Sequence, residues 1–463
     1  MAKHIKHILG CLLDQLDHYL VINLLLALVI LSRVGVGNAK IVSLLGLLLC
    51  SAGLLQSSVR VDLWTFVPLI VYNAVSTISF YVTYKSMTDG YGSTQTLYSV
   101  LYLIMAYLTA DERLLLKRLC TIWTGIVAFV GIGQFVARVL IQQRAWRVGG
   151  FLGNPNAMGI FLVIGWFSLL NCTLDQNDRP QQKTLLLPYL EPILLIALAL
   201  TLSMGSFIAM AAGILVLVLE KKKQSSLSES IAFACRLLAG ASLGIGTGIL
   251  IYLTAARTAV PFFCLPLLVY AAVLVYCWKT YRSFLAEKPR MAALISILGI
   301  LVAAAAVALR PSSLATFAER LEMMQNGLSY FAKNPLLGVG PYQWRILNLH
   351  DSSKYFNTWH IHNVFIHVGV EQGWIALAML LIIAVRFYRK IRQPSARAGF
   401  TAFCFHNMID TSFFYMGIFS LTMLAFGNPA EKAQKLHTGI VKAIFALSMA
   451  IFAYTLYCSI RAV

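Results

Sequence analysis

Apolar runs of about 16–25 residues recur along this entire sequence, and each is long enough to cross a bilayer core as a helix. Only 12% of the 463 residues are charged, whereas soluble domains carry roughly 25%. The length of the runs and their weak alternation argue against a membrane β-barrel. The sequence therefore predicts an all-α polytopic membrane protein with about 12–14 transmembrane helices.

The runs divide the chain into four predicted segments: N-terminal transmembrane helices at 1–140, central transmembrane helices at 141–309, a long structured extracytoplasmic loop at 310–361 and C-terminal transmembrane helices at 362–463. The first run, from Tyr19 to Leu31, lacks a small-residue cleavage site, so we expect a retained span. Two points stay open. Two short spans are expected to meet at Ser203, and the stretch 399–427 is either one span or a broken helix.

Basic residues set the predicted orientation, because the cytoplasmic loops of membrane proteins are enriched in lysine and arginine. The three most basic loops read EKKKQ at 220–224, WKTYRSFLAEKPR at 278–290 and RFYRKIRQPSAR at 386–397. If all three are cytoplasmic, the intervening loops alternate and both termini are cytoplasmic. These loops also explain the net charge of +19, so nucleic acid is not a predicted partner.

The sequence contains no spacing that is typical of a metal site. The nine cysteines are scattered singly, without a CxxC pair, and we interpret them as small packing residues. His360 and His367 lack the i, i+4 offset of a helical metal site. No metal or other cofactor is predicted.

Several basic residues face outward in this orientation, against the usual bias: Arg144, Arg147, Arg257, Arg310, Arg320, Lys333, Arg345 and Lys354. A solvated loop charge explains any one of them. Their convergence on one face favours an anion at the outer surface, since the planar guanidinium donates paired hydrogen bonds to phosphate.

Predicted helix N-termini add positive potential to the same face. Asn154 is a predicted cap with Pro155 as the first helical residue, and further helices are predicted to begin near Ser203 and at His362. Each N-terminus offers free N–H groups and a partial positive charge. Three of them together suit a diphosphate.

The outer loop carries an amphipathic pattern. Apolar residues recur at three- and four-residue steps: Leu314, Phe317, Leu321, Met324, Leu328 and Phe331. The pattern predicts a helix along the membrane surface, where it would meet lipid headgroups. A helix that only packs against the protein is the alternative.

Several segments resemble the O-antigen ligase/polymerase family of membrane glycosyltransferases. The most specific are RLEMMQNGLSYFAKNPLLGVGPYQW at 320–344 and HNVFIHVGVEQGWIALAML at 362–380; RVGGFLGNPNAMGIF at 147–161 and FCFHNMIDTSFF at 403–414 are weaker. The resemblance covers roughly residues 145–427. It implies a multi-pass protein of the bacterial cytoplasmic membrane.

The resemblance also implies an activity: inverting, metal-independent transfer of a glycan from a polyprenyl-diphosphate carrier to a lipid, glycan or protein acceptor on the extracytoplasmic side. The partners would be that donor, the acceptor and the bilayer. Ligase and polymerase share these motifs, so both remain open. A lipid-linked oligosaccharide flippase and an inactive structural partner in polysaccharide assembly are the alternatives.

Family roles carry over to a few residues. His362 matches the histidine proposed to take the acceptor proton, and a helix N-terminus favours the neutral imidazole that a base requires. Arg320 matches the arginine ahead of the PLLGVG turn and is the first candidate to neutralise the diphosphate. The family often has an arginine where this chain has Met204. Either Arg147 or Arg257 supplies that charge, with Arg147 preferred because it lies close to a predicted helix N-terminus, or this chain binds its donor differently.

The remaining polar residues of these segments are weaker candidates. Asn154, Asn156 and Asn363 are candidate site residues, as are His406 and Asp410, which we place one turn apart inside a span. Glu371 lies too far along its helix from His362 to orient it directly, and we interpret it as a charge packed between helices. Gly369 and Gly373 form a GxxxG pattern that predicts close approach of another helix.

Overall fold

The structure is a computed structural model. It describes residues 18–31, 39–55, 59–85, 91–174, 187–257, 264–308, 311–351, 356, 358–427 and 434–461. Arg310 and Lys354, two of the basic residues predicted on the outer loop, lie outside these ranges.

Helices make up nearly all of the described chain. They are α1 (His18–Leu31), α2 (Ala39–Leu54), α3 (Leu63–Tyr84), α4 (Tyr91–Tyr107), α5 (Ala110–Gln142), α6 (Pro155–Thr173), α7 (Leu187–Thr201), α8 (Met204–Lys222), α9 (Leu227–Arg257), α10 (Cys264–Glu287), α11 (Pro289–Ala308), α12 (Pro311–Lys333), α13 (Gln343–Asp351), α14 (Val364–Lys390), α15 (Pro394–Asn407), α16 (Met416–Phe426) and α17 (Thr438–Arg461). Short 3₁₀ turns lie at Gly150–Leu152 and Ser412–Phe414. Two-residue strands β1 (Arg60–Val61) and β2 (Gln434–Lys435) pair antiparallel.

The apolar helices confirm an all-α polytopic membrane protein. In the described ranges, 7 helices are long and apolar enough to cross a membrane, namely α3, α5, α6, α8, α9, α14 and α17. Shorter apolar helices of 10–17 residues lie in α1, α2, α4, α7, α11 and α16. The two short spans predicted around Ser203 are the separate helices α7 and α8. The stretch 399–427 is a broken helix, divided between α15 and α16.

The predicted amphipathic helix is present. It is α12, which covers the whole apolar stripe from Leu314 to Phe331. Phe317, Leu321 and Leu328 of the stripe are exposed, whereas the buried side chains Met323 and Tyr330 lie beside the stripe. The helix therefore packs mainly through residues next to the predicted stripe.

The chain forms two compact units. The first unit contains Met1–Lys117, Met323–Lys390 and Phe413–Val463, and the second contains Arg118–Glu322 and Ile391–Ser412. In the first unit α3 packs against α4 and α14, and α2 packs against α17. Gly46 and Gly53 of α2 make this last contact possible, because a Cβ at either position would collide with the ring of Phe452 or Phe445.

The second unit is built around α6, α8 and α9. Helix α15 packs against α8 and α6, while α9 packs against α7, α10 and α11. Gly213 of α8 lies against the ring of Phe167 and the backbone of Ala398, so α6, α8 and α15 approach closely there. This arrangement brings the start of α6, the start of α8 and the end of α15 into one region.

Helix α14 is interrupted at Gly373, which has φ 77° and ψ −174°. The turn at 335–340 fills the interruption. Val339 N donates to Val370 O at 2.8 Å, Gly340 N donates to Glu371 O at 3.0 Å, and Trp374 N donates to Pro335 O at 2.8 Å. A Cβ at Gly373 would meet the carbonyl of Leu336, and a Cβ at Gly338 would meet the backbone of Glu371.

The GxxxG prediction is therefore wrong at Gly373. The glycine admits the PLLGVG turn rather than a second helix, and its backbone is not helical. The local pattern did not contain this information, because the groups that require the glycine lie about 35 residues earlier in the chain.

Asp62 anchors the other end of α14 to the start of α3. Its carboxylate accepts from Thr65 Oγ1 at 2.6 Å and pairs with Arg386 Nη2 at 3.1 Å and Lys390 Nζ at 2.8 Å. Burial raises the pKa of Asp62, but the hydrogen bonds from Lys390, Thr65 and Arg386 outweigh it and lower the pKa from 3.8 to about 2. The stabilisation is therefore complete above about pH 4 and is lost as the pH falls towards 2.

Replacing Asp62 by asparagine should lower stability at neutral pH by about 3 kcal/mol, because two cations lose a buried partner. Thermal unfolding in detergent, followed by tryptophan fluorescence, measures the change. Between about pH 4 and pH 2, the free energy of unfolding of the variant should also fall less than that of wild type, because the variant has no carboxylate to protonate at this position. Glu319→Gln, at an exposed position of α12, is the control. Equal melting temperatures for D62N and wild type would contradict this account.

Gly373→Ala should lower the free energy of unfolding of the first unit by about 1–3 kcal/mol from backbone strain alone, since the backbone conformation there is nearly exclusive to glycine. The added Cβ also collides with the turn. Gly246→Ala in α9 is a matched control, because a Cβ there meets no atom within 4 Å. The control should be neutral or slightly stabilising. A melting temperature for G373A equal to that of the control would show that the turn does not depend on this glycine.

Candidate functional site

The N-termini of α6 and α8 are capped as the sequence predicts. Asn154 Oδ1 accepts from Asn156 N at 2.8 Å and from Ala157 N at 3.4 Å, with Pro155 as the first helical residue. Ser203 Oγ accepts from Ser206 N at 3.4 Å at the start of α8. Ser206 Oγ donates to Ser203 Oγ at 2.8 Å and contacts Asn156 O at 3.4 Å. The two helix starts therefore lie side by side in the second unit.

Four predicted site residues form one hydrogen-bonded chain at these helix starts, which we call the arginine network: Arg147, Asn156, Asp410 and Arg320. Arg147 Nη2 donates to Asn156 Oδ1 at 2.8 Å, and Asn156 Nδ2 donates to Asp410 Oδ2 at 3.0 Å. Arg320 Nη2 lies 3.3 Å from the same Asp410 oxygen, and its Nη1 donates to Ile409 O. The side chains of Arg320 and Asp410 are 15% and 8% exposed.

The network carries a net positive charge, because two guanidinium groups share one carboxylate. Arg147 Nε also donates to Thr201 O at 2.8 Å, so it reaches the segment that leads into α8. Helix α8 begins directly after that segment, at Met204, the position where the sequence resemblance implies an arginine. Partial burial strengthens the electrostatic interactions of these charged groups relative to bulk water, and two helix N-termini add to the positive potential. The arrangement can hold an anion with several oxygen atoms.

The prediction that His406 and Asp410 face each other one turn apart in a span is wrong. Helix α15 ends at Asn407, so Asp410 lies in the following turn, where its Oδ1 accepts from Thr411 N at 2.8 Å. His406 Nδ1 instead lies 3.0 Å from Ser412 Oγ. Ser412 Oγ gives its proton to Asn407 Oδ1 at 3.2 Å, so Nδ1 of His406 is the donor.

Sequence reasoning did not identify Asp410 as the partner of Arg320. The two residues are 90 positions apart, and Asp410 faces Arg320 only because the chain leaves the helix at Asn407. The feature of the sequence that points to Asp410 is its charge within an otherwise apolar segment.

Arg257 is not part of the network. It lies at the exposed C-terminal end of α9 and, within the described residues, forms no hydrogen bond or ion pair with Arg147, Asn156, Asp410 or Arg320. Its predicted role as a diphosphate ligand is not supported by a contact to the other candidates.

The first unit contains a second cluster, at the start of α14. The helix begins at Val364, two residues after His362. Asn363 Oδ1 accepts from Ile366 N at 3.0 Å and so caps the helix, while Asn363 O accepts from His367 N at 2.9 Å. His362 is half-buried and lies directly before this cap.

A chain of three titratable side chains lies beside the cap, and we call it the histidine relay: His360, His367 and Glu371. His360 Nδ1 is 3.0 Å from His367 Nε2, which is 3.2 Å from Glu371 Oε2. His367 and Glu371 are both 0% exposed. Glu371 therefore lies against a residue of its own helix. The i, i+4 spacing of these two residues was the signal that could have revealed the pair.

No metal centre is evident in the part of the chain that the structure describes. Within those residues, no group of three or more histidine, cysteine, aspartate or glutamate side chains has an arrangement that could hold a metal ion.

Comparison with known proteins identifies one family. Residues 241–381 match the family model described as O-Antigen ligase, which confirms the resemblance seen in the sequence. The match covers just under a third of the chain and includes Arg257, Arg320, His362 and Glu371. No curated protein matches the chain.

Proposed function

We propose, starting from the O-antigen ligase domain at residues 241–381, that this chain is a membrane glycosyltransferase that uses a polyprenyl-diphosphate-linked glycan as donor. The domain supports a glycan transferase of the O-antigen ligase type in general. The arginine network is the observation that carries the finer assignment, because it matches the chemistry of a diphosphate. The acceptor is a hydroxyl group of a lipid or glycan.

The arginine network would bind the diphosphate of the donor. Arg147 donates to Thr201 O and Asn156 Oδ1, and these contacts place its guanidinium at the starts of α6 and α8. Arg320 is paired with Asp410 and can exchange that carboxylate for a phosphate oxygen. The N–H groups at the starts of α6 and α8 would supplement the two guanidinium groups.

The chemical step is a single displacement. The acceptor hydroxyl oxygen attacks the anomeric carbon while His362 takes the hydroxyl proton, and the bond from that carbon to the diphosphate oxygen breaks. The electron pair of that bond leaves with the diphosphate, whose charge the arginines stabilise. Attack from the side opposite the leaving group inverts the anomeric centre.

The placement of the charged groups suggests an orientation. The basic ends of α8 and α14, and the basic loop that follows α10, would be cytoplasmic, with both termini on the same side. The starts of α6, α8 and α14 would then face the extracytoplasmic side of the cytoplasmic membrane. The protein would bind its polyprenyl-linked glycan donor on that side.

Inorganic pyrophosphate should bind the arginine network and raise the melting temperature of the purified protein. Arg147→Gln and Arg320→Gln should each weaken this binding at least tenfold, because each charge-assisted contact contributes about 1.5–3 kcal/mol. Titration of the thermal shift measures the binding. Arg144→Gln is the control, since Arg144 is exposed and stacks on Trp146 at 5.1 Å. Unchanged binding in both R147Q and R320Q would remove the network as the diphosphate site.

Purified protein in detergent should transfer a polyprenyl-diphosphate-linked glycan to an acceptor in the presence of EDTA. His362→Ala should reduce the rate by about 10²–10⁴-fold through loss of the base. Arg320→Ala should reduce it by about 10²–10³-fold through loss of charge stabilisation. His437→Ala, at a histidine that caps the start of α17, is the control.

The outcomes separate the hypotheses. Transfer that survives the chelator and collapses in H362A and R320A supports the proposal. Full transfer by both variants would contradict the site assignment. An absence of wild-type turnover across a broad panel of donors and acceptors would favour a lipid-linked oligosaccharide flippase, for which transport in vesicles is the assay.

A further inference from the structure

The histidine relay has no role in the displacement described above, yet it places two titratable side chains in a fully buried position. His367 and Glu371 are both 0% exposed within a helix of membrane-spanning length. Burying such groups costs free energy unless hydrogen bonds compensate, and polar residues inside membrane proteins are often functional. The contacts of each ring nitrogen show what the pair holds in place.

The hydrogen bonds define the protonation of His367. Its Nδ1 accepts from the backbone amide of Ile361 at 3.4 Å, so the ring proton is on Nε2. Nε2 then donates to His360 Nδ1 at 3.0 Å, while Glu371 Oε2 lies 3.2 Å from the same nitrogen without accepting a hydrogen bond. His360 thus holds His367 in the tautomer whose Nδ1 accepts from Ile361.

The Ile361 amide lies directly before His362 in the chain. On the other side of His362, Asn363 N donates to Ile361 O at 2.6 Å, and Asn363 O accepts from His367 N at 2.9 Å. His367 therefore binds the backbone on both sides of His362, through its ring nitrogen and through its own amide. Aromatic packing adds to this: Phe414 stacks on His360 at 4.9 Å and meets His367 edge-on at 5.3 Å.

Glu371 is itself held from outside the helix. Its carbonyl accepts from Gly340 N at 3.0 Å, and the neighbouring Gln372 Oε1 accepts from Ser76 Oγ at 2.6 Å. The 335–340 turn therefore holds the backbone of α14 one helical turn after His367.

We propose that His367 is a positioning residue for the base His362, and that it acts mainly through its Nδ1 bond to the Ile361 amide. The proposal rests on the proposed function, since it assigns a task to a residue whose target is the catalytic histidine. It predicts that the geometry of this one bond controls the rate of the displacement and not the affinity for the donor. Misplacement of a catalytic group by about 1 Å can cost about 10²-fold in rate.

A pair of variants tests the bond. Both are made together with Glu371→Gln, so that no buried carboxylate is left without the imidazole that lies 3.2 Å from it. In H367N/E371Q, the side-chain oxygen of asparagine takes the place of Nδ1 and can accept from Ile361. In H367Q/E371Q, the longer side chain reaches the place of Nε2 and leaves the amide without that acceptor.

The expected result is a split between the two variants. H367Q/E371Q should have a kcat about 10–100-fold below that of E371Q, with the KM for the donor unchanged within about threefold. H367N/E371Q should stay within about fivefold of E371Q in kcat. Melting temperatures of all three variants, and of wild type, check that each is folded.

Each other outcome overturns a specific statement. If the two double variants have the same kcat, or if only KM changes, the Nδ1 bond does not position the base. If H367Q/E371Q does not fold, H367A/E371Q removes the same acceptor with a smaller side chain, and a kcat equal to that of E371Q would contradict the proposal. If wild type has no transfer activity or H362A retains it, the proposed function fails first, and the positioning role fails with it.

Discussion

An interrupted helix in a membrane protein must find partners for the backbone groups that the interruption releases, because lipid offers none. In α14 the interruption at Gly373 is satisfied by the 335–340 turn, through three backbone hydrogen bonds of 2.8–3.0 Å. The turn and the helix therefore form together or not at all. The start of α14, with its cap and its buried His367 and Glu371, depends on this closure, while Asp62 holds the far end.

Acidic residues are scarce in this chain, with 18 aspartates and glutamates against 37 lysines and arginines, and the buried ones each hold other groups in place. Glu191 accepts from the indoles of Trp166 and Trp278, and Glu220 pairs with Arg397 and Lys223. Asp62 joins two helices through two cations. Asp410 differs from these three, because a side-chain amide, that of Asn156, connects it to a second arginine, Arg147.

The sequence predicted those features that depend on neighbouring residues. The apolar runs predict the spans, Asn154 and Ser203 predict two helix starts, and the stripe from Leu314 to Phe331 predicts α12. Features that depend on distant segments were missed or misjudged. The backbone of Gly373 is set by a turn far earlier in the chain, and the partner of Asp410 is set by the point at which α15 ends. The arginines were identified individually by residue type, but their connection through Asn156 needed coordinates.

Asp410 has a further consequence for the proposed transferase, whose product would be a free diphosphate. Arginines that hold this product tightly would slow its release. A carboxylate that pairs with Arg320 in the absence of substrate must be displaced by each diphosphate that binds, so it lowers the affinity of the network for donor and product alike. Uniformly weaker binding does not change the barrier of the bound complex, but it speeds release of the diphosphate. Asp410 would therefore keep the network from retaining its product, which two unpaired arginines would hold more tightly.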